Sequence, residues 1–219
     1  FIGQVAVAGI FALLALTWVH TSTMLSLTRL TLPGWDLTSV GWFLLAVFVI
    51  VATSNAVNLT DGVDGLAPGT AVPGFLALGL AAQLQGRSEL AGTCWSVAAV
   101  LLAFLVFNRP RAKIFMGDAG SLALGLMLAV AAAEVGLLVL LPLLGAVFLV
   151  ETGSVILQVG YFRLTGGRRL FRMSPLHHHL EMGGLGEWAV DLRLWAASWA
   201  AGALALLWAV ATGLGGRPG

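Results

Sequence analysis

Charge is scarce in this 219-residue chain. Only 10% of its residues are Asp, Glu, Lys or Arg, against about 25% in an ordinary soluble domain. That shortage excludes a water-soluble globular class. With 59% hydrophobic residues and a mean hydropathy of +0.96, the composition is that of a polytopic membrane protein. Cysteine is nearly missing too: the single Cys94 lies in an apolar run, which excludes an internal disulfide framework and reads as a small core residue. The opening FIGQVAVAG has no initiator Met, basic n-region or cleavage site, so a signal peptide is not expected there. The chain is expected to start mid-protein, so that residues 1–219 form a single integral-membrane domain, N-terminally truncated. No repeat of fixed period occurs. The net charge of +1 conceals an uneven distribution, and no nucleic-acid partner is expected.

Long apolar runs are what the chain has in abundance. A bilayer core needs about 20 mostly apolar residues per helix, and about seven segments qualify: 2–19, 40–57, 67–84, 90–107, 119–134, 136–160 and 189–211. The expected fold is all-α, a polytopic transmembrane helix bundle. Gly and Ala are frequent within the spans, as expected where helix backbones approach closely in lipid. The polar stretch between the first two spans carries Pro33 and Gly34, a turn signal compatible with a short hairpin. Trp188, Trp195, Trp199 and Trp208 flank or enter the last span and read as interface anchors and packing.

Arg109, Arg111 and Lys113 share one loop, and Arg163, Arg168, Arg169 and Arg172 share another; the alternate loops hold little beyond Arg29 and Arg87. By the positive-inside rule the two basic loops face the cytoplasm. Three polar clusters fall on this same face.

The first cluster is NAVNLTDGVDGL, residues 55–66, which places Asn55, Asn58, Asp61 and Asp64 at three-residue intervals, on roughly one side of a helix unwinding into a loop. The bland reading is a polar turn between spans, with Gly62 and Gly65 supplying the bend. The second is FNRPRAKIFMGDAGS, residues 107–121. Asp118 alone reads as a helix cap, but Asn108, Arg109, Arg111, Lys113 and an exposed Phe115 in the same loop suit a phosphorylated, ring-containing ligand. The third is RMSPLHHHLEMGG, residues 172–184. Ser174 is the expected N-cap and Pro175 the first helical residue, putting His177, His178 and His179 in a first turn whose free N–H groups favour an anion. Consecutive histidines diverge on a helix, so a three-His zinc site is not expected. Glu181 is spaced to orient His178 or His177. Glu151, inside the sixth span, needs a partner or a hydrated cavity. Asp36, Glu89 and Glu134 are expected to be solvated on the far side. Asn58-Leu59-Thr60 matches the N-glycosylation pattern, but its cytoplasmic placement argues against use.

Asp61, Asp64 and Asp118 offer oxygen ligands for a divalent cation, which suggests Mg²⁺. Carboxylates, Mg²⁺ and phosphate-binding groups at a bilayer surface suit phosphoryl transfer from a soluble donor to a lipid acceptor.

At NAVNLTDGVDGLA, FNRPRAKIFMGDAGSLALG, VETGSVILQVG and FRMSPLHHHLE the sequence closely resembles the phospho-N-acetylmuramoyl-pentapeptide transferase family. That family is a branch of the polyprenyl-phosphate N-acetylhexosamine-1-phosphate transferase superfamily. The superfamily shares the first two motifs; the triple histidine with Glu181 marks this branch. The resemblance implies transfer of phospho-MurNAc-pentapeptide from UDP-MurNAc-pentapeptide to undecaprenyl phosphate, giving lipid I and UMP in peptidoglycan synthesis at the bacterial inner membrane. It also implies that Asp118 ligates Mg²⁺, that Phe115 stacks on uracil, and that Asn58, Asp61 and Asp64 line the nucleotide and catalytic cleft. His177 and His178 would contact substrate, with Asn55, Asn108, His179 and Glu181 also on the substrate side. A homodimer is an open expectation.

One departure stands out: the family's Asp-Asp-x-x-Lys motif precedes the span that begins here at Phe1, and no Asp-Asp pair occurs in this sequence. About three of the family's usual ten spans would precede residue 1, and residues 1–219 alone are expected to be catalytically silent. The alternatives are a sister transferase of GlcNAc-1-phosphate, against which the HHHLE run argues, an ion-coupled transporter using Asp61, Asp64 and Glu151, and a fragment acting only as a scaffold. A transporter would place its acids near the bilayer midplane, whereas here most lie at one face.

Overall fold

The computed structural model describes residues 1–25 and 35–214. Its helices are α1 (Ile2–Leu14, continued by the π-type turn Ala15–Val19), α2 (Thr38–Thr60), α3 (Leu66–Leu84), α4 (Ser88–Asn108), α5 (Gly117–Glu134), α6 (Leu141–Leu144), α7 (Ala146–Leu164), α8 (Leu176–Met182) and α9 (Glu187–Ala209). Among the described residues, seven helical segments are long and apolar enough to cross a membrane, as expected for a multi-pass helical bundle. A two-residue ladder, β1 (Met24–Leu25) against β2 (Trp35–Asp36), pairs antiparallel where a hairpin was expected. Pro33, Gly34 and Arg29 lie outside the described residues.

The bundle is built around α3, whose apolar window is 83% buried while those of the other spans are 39% or less. Its composition explains why. Small residues let neighbouring backbones close in, and in lipid that close packing replaces the hydrophobic drive available in water. α4 and α9 pack along it, with α5 and α6 also in contact. The indole of Trp195 on α9 lies so close to Gly69 that a Cβ there would sit 2.2 Å from its ring. Ser198 of α9 donates to the carbonyl of Thr70 at 2.6 Å. A second seam joins α2 to α5, where a Cβ on Gly125 would stand 2.5 Å from the Cα of Ser54. The outer faces carry exposed apolar side chains such as Leu44, Phe48, Val100, Leu204 and Leu207, which suits a lipid-facing surface.

One span differs from its expected bounds. The sixth begins at Ala146 rather than near residue 136, because a 3₁₀ turn (Leu138–Leu140) and the one-turn α6 intervene. Gly136, at φ +77°, turns the chain after α5, Pro142 sits at the start of α6, and Gly145 is non-helical. Of the acids expected to be solvated, Glu134 pairs with Arg87 at 3.4 Å. Asp36 accepts from the Thr23 hydroxyl at 2.7 Å and the Thr38 N–H at 3.0 Å. These bonds hold its carboxyl below the usual range, the Thr23 bond most strongly.

Candidate active site

α2 ends at Thr60, and Asp61 to Asp64 form a tight turn that Gly65, at φ +81°, closes by launching α3. A side chain at that φ is strained, and a Cβ there would stand 3.3 Å from both the Cα of Arg109 and Oδ2 of Asp191. The turn is therefore pressed against the basic loop and α9. The loop that follows α4 is tied to it by two bonds: the Gly65 N–H donates to Oδ1 of Asn108 at 3.1 Å, and the Ala112 N–H donates to Oδ2 of Asp64 at 2.8 Å. Asn108 also donates to the carbonyl of Ile114 at 2.9 Å. A buried asparagine thus fixes the two loops against one another.

Between these loops and the start of α5 lies a cleft of about 290 Å³, lined by Asn58, Asp61, Asp64, Asn108, Phe115 and Asp118 among others. Six residues singled out from two separate motifs are brought to one place. Asp118 does not cap α5, whose start has no side-chain cap. Its Oδ1 instead accepts from Nδ2 of Asn58 at 3.1 Å, and that amide also reaches Ser121 Oγ at 2.9 Å. Phe115 stands 76% exposed at the rim. Burial pushes the Asp61 carboxyl up to about 6, with the charges of Asp118 and then Asp64 adding to the effect.

Asp61 feels the charges of both Asp118 and Asp64, and among the described residues none of the three has an ion-pair partner; such hard oxygen donors could hold a divalent cation. Among the described residues no three His, Cys, Asp or Glu side chains form a ready-made metal cage.

Asn55 does not join the cleft. It is exposed and donates to Oε1 of Gln4 on α1 at 3.2 Å and to the carbonyl of Val51 at 2.7 Å. Of the four polar residues expected on roughly one side, Asn58, Asp61 and Asp64 line the cleft, whereas Asn55 meets α1, which packs against α2 there.

The histidine helix begins one residue later than its sequence suggests. Pro175 occupies the N-cap position in an extended conformation (ψ 175°), and no side chain caps α8, so Ser174 is not the cap. The anion expected at this helix start is supplied by the protein: Oε2 of Glu151 accepts from the His177 N–H at 3.2 Å and lies 3.1 Å from its Nδ1. Both side chains are wholly buried. Glu151 thereby has the partner that an acid within a span requires. His177 Nε2 points at the Asp61–Asp64 turn, 3.1 Å from where a Cβ on Gly62 would be. Glu181 orients His178, not His177, with Oε2 2.8 Å from Nδ1. His179 turns away to accept from the Arg172 N–H at 3.1 Å. Of the three imidazoles only that of His179 diverges; the rings of His177 and His178, expected to point apart, meet edge-on with centroids 4.3 Å apart. A wider hollow of about 450 Å³, lined by Arg111, Glu181, Glu187 and Trp188 among others, opens on the far side of the basic loop.

Asp191 escaped the sequence reading. It is fully buried on α9, directly behind Gly65, and among the described residues neither carboxylate oxygen has a hydrogen-bond partner. The signal available was the one that marked Glu151, an acid inside an apolar run.

The chain is 45% identical over 197 residues to a phospho-N-acetylmuramoyl-pentapeptide-transferase of Listeria innocua, an alignment covering 89% of this chain and 59% of that protein. It is 48% identical over 198 residues to the protein of the same name from Geobacillus sp. strain WCH70, and 48% identical over 199 residues to that of Geobacillus kaustophilus, again over 59% of each. The chain thus spans about three fifths of the length of the curated relatives it matches. Residues 1–136, which carry the Asp61 turn and the Asp118 loop, match the family model for glycosyl transferase family 4, and the chain belongs to that family.

Proposed function

We propose that the protein containing this chain transfers phospho-MurNAc-pentapeptide from UDP-MurNAc-pentapeptide to undecaprenyl phosphate, releasing UMP and forming lipid I on the cytoplasmic face of a bacterial inner membrane. A phosphate oxygen of the acceptor attacks the sugar-side phosphorus of the donor; the new phosphorus–oxygen bond forms as the bond to the UMP oxygen breaks. The observation that carries this reading is the cleft that gathers Asp61, Asp64 and Asp118 beneath an exposed Phe115. The name carried by the Listeria and Geobacillus relatives, phospho-N-acetylmuramoyl-pentapeptide-transferase, supports the choice of the group transferred.

Asp118, with Asp61 and Asp64 nearby, would hold Mg²⁺, which would supply positive charge to offset that of the diphosphate. The chain's own groups do the positioning. Phe115 presents a ring face for the uracil, and Asn58 sets the Asp118 carboxylate at 3.1 Å. Arg109, Arg111 and Lys113 meet phosphate or peptide carboxylates from the exposed loop. His178, oriented by Glu181, stands beside buried His177 with ring centroids 4.3 Å apart. The hollow beyond the basic loop has room for the peptide part of the donor.

The test is turnover by the full-length protein with Mg²⁺, UDP-MurNAc-pentapeptide and undecaprenyl phosphate, followed as lipid I and UMP in equal amounts. Transfer from UDP-GlcNAc but not from the muramoyl donor would replace this reading with the sister GlcNAc-1-phosphate transferase.

A further inference from the structure

The loop after α7 is more ordered than a topological signal needs to be. Positive charge on one side of a membrane requires only basic residues near the span; it does not require them to be held in one shape. Here Gln158 of α7 clamps the loop, its Oε1 accepting from the Leu170 N–H at 3.0 Å and the Phe171 N–H at 2.8 Å, and its Nε2 donating to the Phe171 carbonyl at 3.2 Å. Gly166 and Gly167, at φ +66° and +110°, reverse the chain, and the Gly167 N–H closes on the carbonyl of Phe162 at 2.9 Å. The frame so formed presents Arg163, Arg168, Arg169 and Arg172, all exposed. Among the described residues none of the four has a carboxylate within ion-pair distance.

Apolar side chains stand between these charges. Leu164, the last residue of α7, is 89% exposed, and Leu170 and Met173 are also exposed. An apolar residue in that position gains nothing from water or from a soluble anion. At the end of a membrane span it has acyl chains beside it, while the guanidinium groups one step further out lie level with the headgroups.

We propose that this loop is a binding surface for anionic phospholipid headgroups of the adjoining leaflet, with Arg163, Arg168 and Arg169 on the lipid phosphates and Leu164 and Leu170 among the upper acyl carbons. The site is linked to the histidine helix. Arg172 donates through its N–H to His179 Nδ1 at 3.1 Å and through Nη1 to the Met182 carbonyl at 2.8 Å. The Phe171 ring meets His179 edge-on at 5.6 Å. A lipid that holds the loop therefore also holds α8 and, through it, His177 and His178. The proposal stands apart from the reaction, since its readout is lipid binding and not turnover.

The experiment is native mass spectrometry of the full-length protein in neutral detergent, titrated separately with phosphatidylglycerol, phosphatidylcholine, undecaprenyl phosphate and inorganic phosphate. Phosphatidylglycerol is expected to bind well ahead of phosphatidylcholine, and more weakly as salt rises. Replacing both Arg168→Ala and Arg169→Ala should weaken it by roughly 30-fold, about five-fold per arginine, while the Arg168→Lys, Arg169→Lys protein should retain most of the binding. Equal binding of the two phospholipids, or indifference to the alanine pair, would overturn the proposal. So would a lysine pair as defective as the alanine pair, displacement by millimolar inorganic phosphate, or binding restricted to undecaprenyl phosphate.

Discussion

Asp118 carries a charge that its hydrogen bond does not require. Asparagine at that position keeps an oxygen to accept from Asn58 and loses only the negative charge, so Asp118→Asn separates metal binding from structure. Turnover is expected to fall by about 100-fold or more, the scale of losing charge stabilisation by a metal, with an unchanged thermal unfolding temperature in detergent. A rate near normal at saturating Mg²⁺ would leave Asp118 as no more than the partner of Asn58. Phe115 gives a complementary test, because its exposure means that the fold does not depend on it. Phe115→Ala should weaken UDP-donor binding by roughly 1 to 3 kcal/mol, the worth of a base-stacking ring, and leave undecaprenyl phosphate binding unchanged; equal loss for both ligands would assign the ring a structural role. Asp61 offers a test in pH. Its folded carboxyl titrates near 6 against an ordinary 3.8, so the native state holds the proton more tightly than the unfolded chain does. Its contribution to stability is therefore full below about 3.8 and is lost as the pH rises through 6. Unfolding in EDTA should show Asp61→Asn raising the melting temperature above pH 6 and converging with the parent protein below pH 3.8; a gap that persists in acid would point to packing in place of charge.

At the scale of elements, the site depends on how closely α2 approaches α5, because that seam carries Asn58 to Asp118. Gly125 sets the distance, and the atoms it faces are backbone: the Cα and N of Ser54 and the carbonyl of Thr53, all within 2.9 Å of an added Cβ. Backbone cannot swing aside. Gly125→Ala should therefore destabilise the protein by about 1 to 3 kcal/mol, the usual cost of overpacking, and widen the Asn58–Asp118 separation. Gly120→Ala on the same helix meets only the side chain of Met116, which can change rotamer, and is the control. Comparable losses at the two positions in a thermal unfolding assay would show that the seam does not set the spacing. A second inter-element device is Glu151. By accepting both the backbone and ring N–H groups of His177, it straps the short α8 to α7 and holds the imidazole toward Gly62.

For the whole molecule, the Asp61 turn, the Asp118 loop and the histidine helix all gather at one end of the bundle. With the basic loops at that end, the positive-inside rule gives the expectation that it faces the cytoplasm. Single cysteines at positions 61, 118 and 178, introduced after replacing Cys94, should all react with an impermeant thiol reagent added from the cytoplasmic side of inverted vesicles. Labelling of 61 and 178 from opposite sides would break this topology.

The spans were legible in the sequence because the bilayer imposes a length and an apolarity on each helix that can be read one segment at a time. The turn around Asp61 and Asp64 was legible for a similar reason, since glycine and acid spacing are local properties. The late start of the sixth span was not, because periodicity cannot separate a broken apolar run from a continuous one. Partners at long sequence distance were beyond local reading altogether. Sequence left Glu151 in need of some partner, and Asn55 and Asn58 looked equivalent at a three-residue interval. Only the packing of α1 and α5 on either side of α2 sent Asn55 to Gln4 and Asn58 to Asp118. Only the fold of the 165–175 loop brought His177 back onto Glu151, 26 residues away. Local chemistry fixed which residues had to be satisfied; the close approach of helices, set by glycines against backbone, decided which groups satisfied them.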